Sequence, residues 1–155
     1  MAKEKIQKNI VIKNRKASYE YEFLETYTAG MSLLGSEIKS IRLGKASLQE
    51  AYCYITLKNE VFIKKMHIAP YEQATHVNHE PYRERKLLLQ KKEINKLVGM
   101  MNEKGLAIIP VKLFISERGM AKLVIALGKG KKLPDKRSSI KDKDNKRELQ
   151  RQLII

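Results

Sequence analysis

The chain has 155 residues and carries 32 Lys and Arg against 17 Asp and Glu, a formal net charge of +15. That length suits one domain with a real core, and that charge attracts polyanions. The single cysteine, Cys53, excludes an internal disulfide and fits a reducing, cytoplasmic compartment; no apolar run approaches the roughly 20 residues that cross a bilayer, and no apolar stretch follows the charged N-terminus as in a signal peptide.

Residues 1–9 are polar and expected to be flexible. Ile10–Ile12 can open a strand. In Tyr19-Glu20-Tyr21-Glu22-Phe23 aromatic and acidic residues alternate, the period of a half-buried strand. It is expected to run through Tyr27 to Gly30, with Gly30 as a bend or bulge. Residues 35–45 read as a short helix: Ser36 is placed to cap it, Leu34, Ile38 and Ile41 share a face, and Gly44 ends it. That helix shows Lys39 and Arg42 to solvent, with Lys45 just past its end. Runs 50–57 and 60–66, joined at Lys58-Asn59, suit a hairpin. Residues 69–85 are irregular, with Pro70 and Pro81. From Arg85 to Lys104, Leu88, Ile94, Leu97, Val98 and Met101 form a helical stripe, and Gly105 is a stop. Runs 106–115 and 120–127 make a second hairpin, turning at Glu117-Arg118-Gly119.

Hairpins dominate and strands do not alternate regularly with helices. The order predicts an α+β, mainly β chain with an antiparallel sheet or small barrel over 10–127. From Gly128 the composition changes. The last 28 residues hold ten Lys or Arg and four Asp or Glu, with Ile140 the one apolar residue between Leu133 and Leu149. Such a tail, 128–155, cannot bury itself and is expected to be disordered when free. Its Lys, Arg, Glu and Gln are good helix formers, so it can become helical on a polyanion.

Catalytic chemistry finds little support. Gly128–Lys132 carries glycine and lysine, but the spacing is wrong for a phosphate loop and no Ser or Thr follows. His76 and His79 have no cysteine beside them and Glu80 is adjacent, so no metal site is expected. No carboxylate pair or nucleophile elbow appears. His67 reads as a satisfied strand residue, His79 as a loop hydrogen bond, and Cys53 as a small buried apolar residue. No cofactor is implied. Basic residues are the stronger theme. Residues 1–16, the 35–45 helix, the stretch holding Arg83, Arg85, Lys86, Lys91, Lys92 and Lys96, and the tail are each net positive. Tyr71 and Tyr82 offer ring faces beside cations. Arg with aromatic residues suits folded or single-stranded RNA.

Three blocks carry a resemblance: AGMSLLGSEIKSIRLGKASL (29–48), NHEPYRERKLLLQKKEI (78–94) and LGKGKKLPDKR (127–137). Long, ordered and correctly spaced, they are similar to the signature blocks of the SmpB family, over about residues 9–152. The resemblance implies a small antiparallel β-barrel of oligonucleotide-binding-fold type with short flanking helices and a basic C-terminal tail. It implies a non-enzymatic adaptor, a monomer in a one-to-one complex with transfer-messenger RNA (tmRNA). The adaptor binds the tRNA-like domain of that RNA, mimics an anticodon stem, and probes the empty mRNA channel and decoding centre of a stalled ribosome with its tail. The RNA-binding face it implies is Lys39, Arg42, Lys45, Arg83, Arg85, Lys86 and Lys122 with Leu88. Lys122 and Leu88 match family positions implicated in RNA binding, although Leu88 equally suits a core. Lys129, Gly130, Lys131, Lys132, Asp135, Lys136 and Arg137 would contact the ribosome, with the glycine-lysine run as hinge and anchor. Gly35, Glu37 and Asn78 belong to the blocks, and a bend, a helix start and a loop also explain them.

Two positions depart from the family pattern. Thr28 stands where an acidic residue often precedes Ala29-Gly30, so an RNA-contacting carboxylate is not carried over. Pro134 stands where His or an aromatic residue usually precedes Asp135-Lys136-Arg137, which removes a stacking ring but suits the first turn of a helix. A ribosomal or ribosome-assembly protein with a basic barrel would show the same composition, and an RNA-acting enzyme is the third reading.

Overall fold

The computed structural model describes residues 10–73, 78–103 and 105–131. In chain order the elements are β1 (Val11–Lys13), α1 (Arg15–Glu20), β2 (Tyr21–Met31), α2 (Gly35–Arg42), β3 (Ala46–Ser47), β4 (Tyr52–Ile55), β5 (Val61–Lys64), β6 (His67–Ile68), β7 (Arg85–Leu88), α3 (Lys91–Met100), β8 (Leu106–Ile115) and β9 (Ala121–Gly130). The antiparallel pairings close on themselves: β8 to β4, β4 to β5, β5 to β7, β7 to β2, β2 to β9, and β9 back to β8. β1 lies along the far end of β8, with Val11 opposite Phe114. Closure removes most sheet edges. The interior is filled by Ala29, Val61, Ile63, Leu87, Leu113, Leu123 and Ile125, with Ile41 of α2 and Leu97 of α3 packed into the same core. No helix among the described residues is long and apolar enough to cross a membrane.

The predicted α+β, mainly β architecture and both hairpins are present. Asn59 takes a φ of 59° in the first hairpin turn and Gly119 a φ of 80° in the second. Cys53 is buried opposite Ile63. Three local readings need correction. Tyr19 and Glu20 end α1 rather than begin a strand; five alternating residues cannot exclude a helical turn, and Ala17 anchors that turn in the core. The irregularity of β2 falls between Phe23 and Glu25 and not at Gly30. Residues 85–88 are strand, and the expected helix starts only at Lys91. There Arg85 and Leu87 point in while Lys86 and Leu88 point out, a period of two that pairs one cation and one leucine on each face and so does not show as polar-apolar alternation. β8 bulges between Pro110 and Lys112, where proline has no N–H for the ladder. Asn14 satisfies that bulge: its side-chain amide donates to the Pro110 carbonyl at 2.8 Å and its backbone N–H to the Val111 carbonyl at 2.8 Å.

The sheet also does not stop at Leu127. Gly128 pairs with Phe23 and Ala107, Lys129 with Glu22 and Leu106, and Gly130 with Tyr21. The Lys131 N–H then donates to the Glu20 carbonyl at 3.1 Å. The compact part therefore reaches Gly130, and Gly128–Gly130 is sheet instead of hinge. The glycine at 128 answers to space within that sheet: a Cβ there would lie 2.6 Å from Ile109 Cδ1 and 3.1 Å from Tyr21 Cβ. Lys132 and the rest of the expected tail lie outside the described residues, as do residues 1–9 and His76. Gly128→Ala should lower stability by about 1–3 kcal/mol through overpacking. Gly130→Ala, whose Cβ would meet nothing nearer than the Gly105 carbonyl at 3.8 Å, should stay within about 0.5 kcal/mol. Urea unfolding of both variants checks this; an equally small effect at both sites would return the segment to a hinge.

Candidate RNA-binding face

Three strands build the centre of the face. Leu88 of β7 stands opposite Gly30 of β2, and Gly30 opposite Lys122 of β9. Directly opposed residues share a sheet face, so the row runs Leu88, Gly30, Lys122. Gly30 leaves a notch: a Cβ there would sit 3.3 Å from Leu88 Cβ and 3.7 Å from Lys122 Nζ. Leu88 is 52% exposed, which places it outside the core. An exposed apolar group beside a lysine and a notch suits a nucleotide, whose base or ribose meets the leucine and whose phosphate meets the ammonium. Lys86, two residues before Leu88 on the same face, is half-buried and pairs with Glu60 at 3.7 Å.

A second layer comes from α2 and the segment before β7. Glu37 has no solvent exposure. Its Oε1 accepts from the Leu34 N–H at 2.8 Å and from Arg83 Nη2 at 2.6 Å, and its Oε2 accepts from Arg85 Nε at 2.5 Å. Glu37, and not Ser36, thus caps α2. Arg85 is equally buried. Its Nη1 donates to the Met66 carbonyl at 2.7 Å, and its Nη2 to the carbonyls of Pro81 at 3.1 Å and Glu80 at 3.3 Å. Arg85 therefore leaves the set of expected RNA contacts. It faces inward because β7 alternates, and it stays charged because every donor group has an acceptor. Burial pushes the Glu37 carboxyl up, but the bonds from Arg83, the Leu34 amide and Arg85 outweigh it and hold it below the usual value of 4.5. Burial lowers Arg85, and Glu37 opposes that.

Arg83 remains at the surface, its side chain 35% exposed. Among the described residues its Nε is the one buried side-chain polar atom without a hydrogen-bond partner, a condition that costs about 1–3 kcal/mol. Lys39 is exposed and lies over the Tyr71 ring at 5.4 Å from its centre. Asn78 holds Tyr71 at both backbone groups, at 3.1 and 2.8 Å. His79 is buried between Ser36 Oγ at 2.8 Å and the Ile68 carbonyl at 2.9 Å, the loop bond expected of it. Arg42 spends Nη2 on the Gly119 carbonyl at 2.8 Å, tying α2 to the β8–β9 turn. Lys45 is half-buried, and its carbonyl accepts from the Ala69 N–H at 2.9 Å. Lys96 is joined to Glu25 at 2.9 Å, while burial and Glu25 push the Tyr27 hydroxyl up to about 12.

The structure thus brings Leu88, Lys122 and Lys86 of the sequence-derived set onto one side of the sheet, places Arg83 and Lys39 at the surface of the α2 layer, and leaves Arg42 and Arg85 in supporting places. Lys129 and Gly130 lie in β9 and Lys131 just beyond it. Lys132, Asp135, Lys136 and Arg137 fall outside the described residues. Glu37 is the residue the sequence reading undervalued. Its signal was position: four residues before the fully buried Ile41, it shares that residue's helix face.

A closed antiparallel ring bearing this row defines a small basic β-barrel protein of the RNA-binding class. The SmpB protein family model matches residues 11–154. The chain is 57% identical over 142 residues to the SsrA-binding protein of Phocaeicola vulgatus, covering 92% of this chain and 94% of that one. It is 56% identical over 151 residues to the SsrA-binding protein of Cytophaga hutchinsonii, covering 97% and 98%. A solved chain described as "tmRNA-SmpB: a journey to the center of the bacterial ribosome" is similar at 42% identity and a TM-score of 0.66, over 79% of this chain and 85% of that one. The chain belongs to the SmpB family.

Glu37 yields a pH prediction. A carboxylate whose folded pKa is depressed contributes stability that is present above its unfolded value of 4.5 and is lost as pH falls through the folded value. Wild-type stability should therefore decline below pH 4.5, and Glu37→Gln, less stable at neutral pH, should show a flatter decline there. Urea midpoints across that range check it; parallel curves would mean that Glu37 carries no such charge-dependent contribution.

Proposed function

We propose that this chain binds the tRNA-like domain of tmRNA and carries it to stalled ribosomes, as an RNA-binding adaptor and not an enzyme. The observation that carries this reading is the SmpB match over residues 11–154, a span that includes every residue of the basic face. The relatives' name, SsrA-binding protein, and the tmRNA-SmpB description of the similar solved chain agree with it.

In this reading the compact part grips and the tail probes. Lys39, Arg83, Lys86 and Lys122 meet phosphates and Leu88 meets a base or ribose beside the Gly30 notch. Arg42, Lys45 and Arg85 hold the segments that present them. Residues from Lys132 onward, with Asp135, Lys136 and Arg137, enter the empty mRNA channel and fold there against decoding-centre RNA. The complex contains one protein and one RNA, and it works in the cytoplasm.

Deleting residues 134–155 should leave RNA affinity nearly intact and abolish peptide tagging on stalled ribosomes; tagging by the truncated protein would refute this division of labour. Lys122→Gln should weaken RNA binding and reduce its salt slope by about one. Leu88→Ala should weaken binding to the tRNA-like domain while changing folding stability by less than about 0.5 kcal/mol, as an exposed side chain should. Titration at several salt concentrations and urea unfolding read both; a stability loss without an affinity loss would return Leu88 to the core.

A further inference from the structure

The buried cluster contains a residue that RNA cannot touch but whose effect on RNA is predictable. We propose that Glu37 is a positioning residue for RNA recognition: enclosed on the inward side of the first turn of α2, it acts through Arg83, whose guanidinium it holds in place at the surface. The inference rests on the RNA-binding reading above.

Four observations carry it. Glu37 has no exposure, whereas the Arg83 side chain keeps 35% of its own. The bond between Arg83 Nη2 and Glu37 is short, at 2.6 Å, while the other contacts of Arg83 are long: Nη2 to the Ser32 carbonyl at 3.4 Å and Nη1 to the Glu84 carbonyl at 3.5 Å. The carboxylate is therefore what fixes the guanidinium. Arg83 also has a donor to spare at its surface end, because Nη1 has only the long contact. A held guanidinium with free N–H groups recognises phosphodiester oxygens, which accept from its planar fork. Finally, Arg85 draws the other carboxylate oxygen, so Glu37 cannot turn away from Arg83 without breaking the interior pair.

The proposal inverts an electrostatic expectation. Removing a negative charge from a chain of net charge +15 should, by attraction alone, tighten binding to any RNA. If Glu37 positions Arg83, the same change should weaken binding to the RNA whose shape Arg83 reads. The experiment measures affinity of the full chain for the tRNA-like half of tmRNA and for an unrelated structured RNA. The proteins are wild type, Glu37→Gln, Arg83→Gln and the double variant. Glu37→Gln should lose about tenfold on the tRNA-like half and hold or gain on the unrelated RNA. In the Arg83→Gln background the Glu37 substitution should add no further loss, since the effect passes through the arginine. Equal tightening on both RNAs, or an undiminished second loss in the double variant, overturns the proposal. If Glu37→Gln does not fold, Arg83→Lys keeps the charge and removes the fork; a similar loss on the tRNA-like half supports the proposal and wild-type affinity overturns it. A wild type that binds both RNAs equally overturns the underlying reading instead, and this inference with it.

Discussion

Two opposite charges enclosed together are tolerated only when attraction and hydrogen bonding offset the several kcal/mol lost by taking each ion out of water. Glu37 and Arg85 are such a pair. The carboxylate takes three donors and the guanidinium meets the carboxylate and three carbonyls. Satisfying both demands that α2, β7, the Met66 carbonyl and the Glu80-Pro81 segment stand in one arrangement. These same elements carry Lys39, Arg42, Arg83, Lys86 and Leu88. The layer of the face built from α2 and the segment before β7 thus takes its geometry from one interior contact, while strand register in the β-ring sets the row beside it.

The surrounding cations divide into two kinds. Some are engaged with carboxylates, such as Lys86 with Glu60, Lys64 with Glu84 and Lys96 with Glu25. Exposed pairs of this sort add little to stability, but they fix where the charge stands. Lys122 sits against the Gly30 notch and Lys39 over an aromatic ring. The total charge draws in RNA of any sequence, an attraction that fades with salt. Discrimination has to come from the fixed features, because charge alone does not distinguish one folded RNA from another.

Where periodicity was long, the sequence was legible. Both hairpins, the β2 strand, the stripe of α3 and the Gly44 stop of α2, whose N–H donates to the Ile41 carbonyl at 2.9 Å, follow from local patterns. Short or mixed stretches were not. Leu88 falls on the same helical stripe as Ile94, Leu97 and Met101, so Arg85-Lys86-Leu87-Leu88 fits a helix as well as a strand, and strand pairing with β5 and β2 decides it. Gly128-Lys129-Gly130 looks like a hinge by composition, and only its neighbours Ile109 and Tyr21 show that the glycine is there for lack of space. For the candidate face, residue type pointed to the cations, but it could not separate an arginine left at the surface from one enclosed against Glu37. That distinction depends on partners far away in sequence. The Leu88–Gly30–Lys122 row is likewise a product of register.

The most direct measurement is a competition titration near physiological salt. It sets the tRNA-like half of tmRNA against ordinary tRNA and an unrelated structured RNA. A preference on the order of a thousand-fold, about 4 kcal/mol, is the result expected of a shape-specific face on a basic barrel. Equal binding to all three would contradict it and would mark the chain as a generic basic RNA binder of the ribosomal-protein kind.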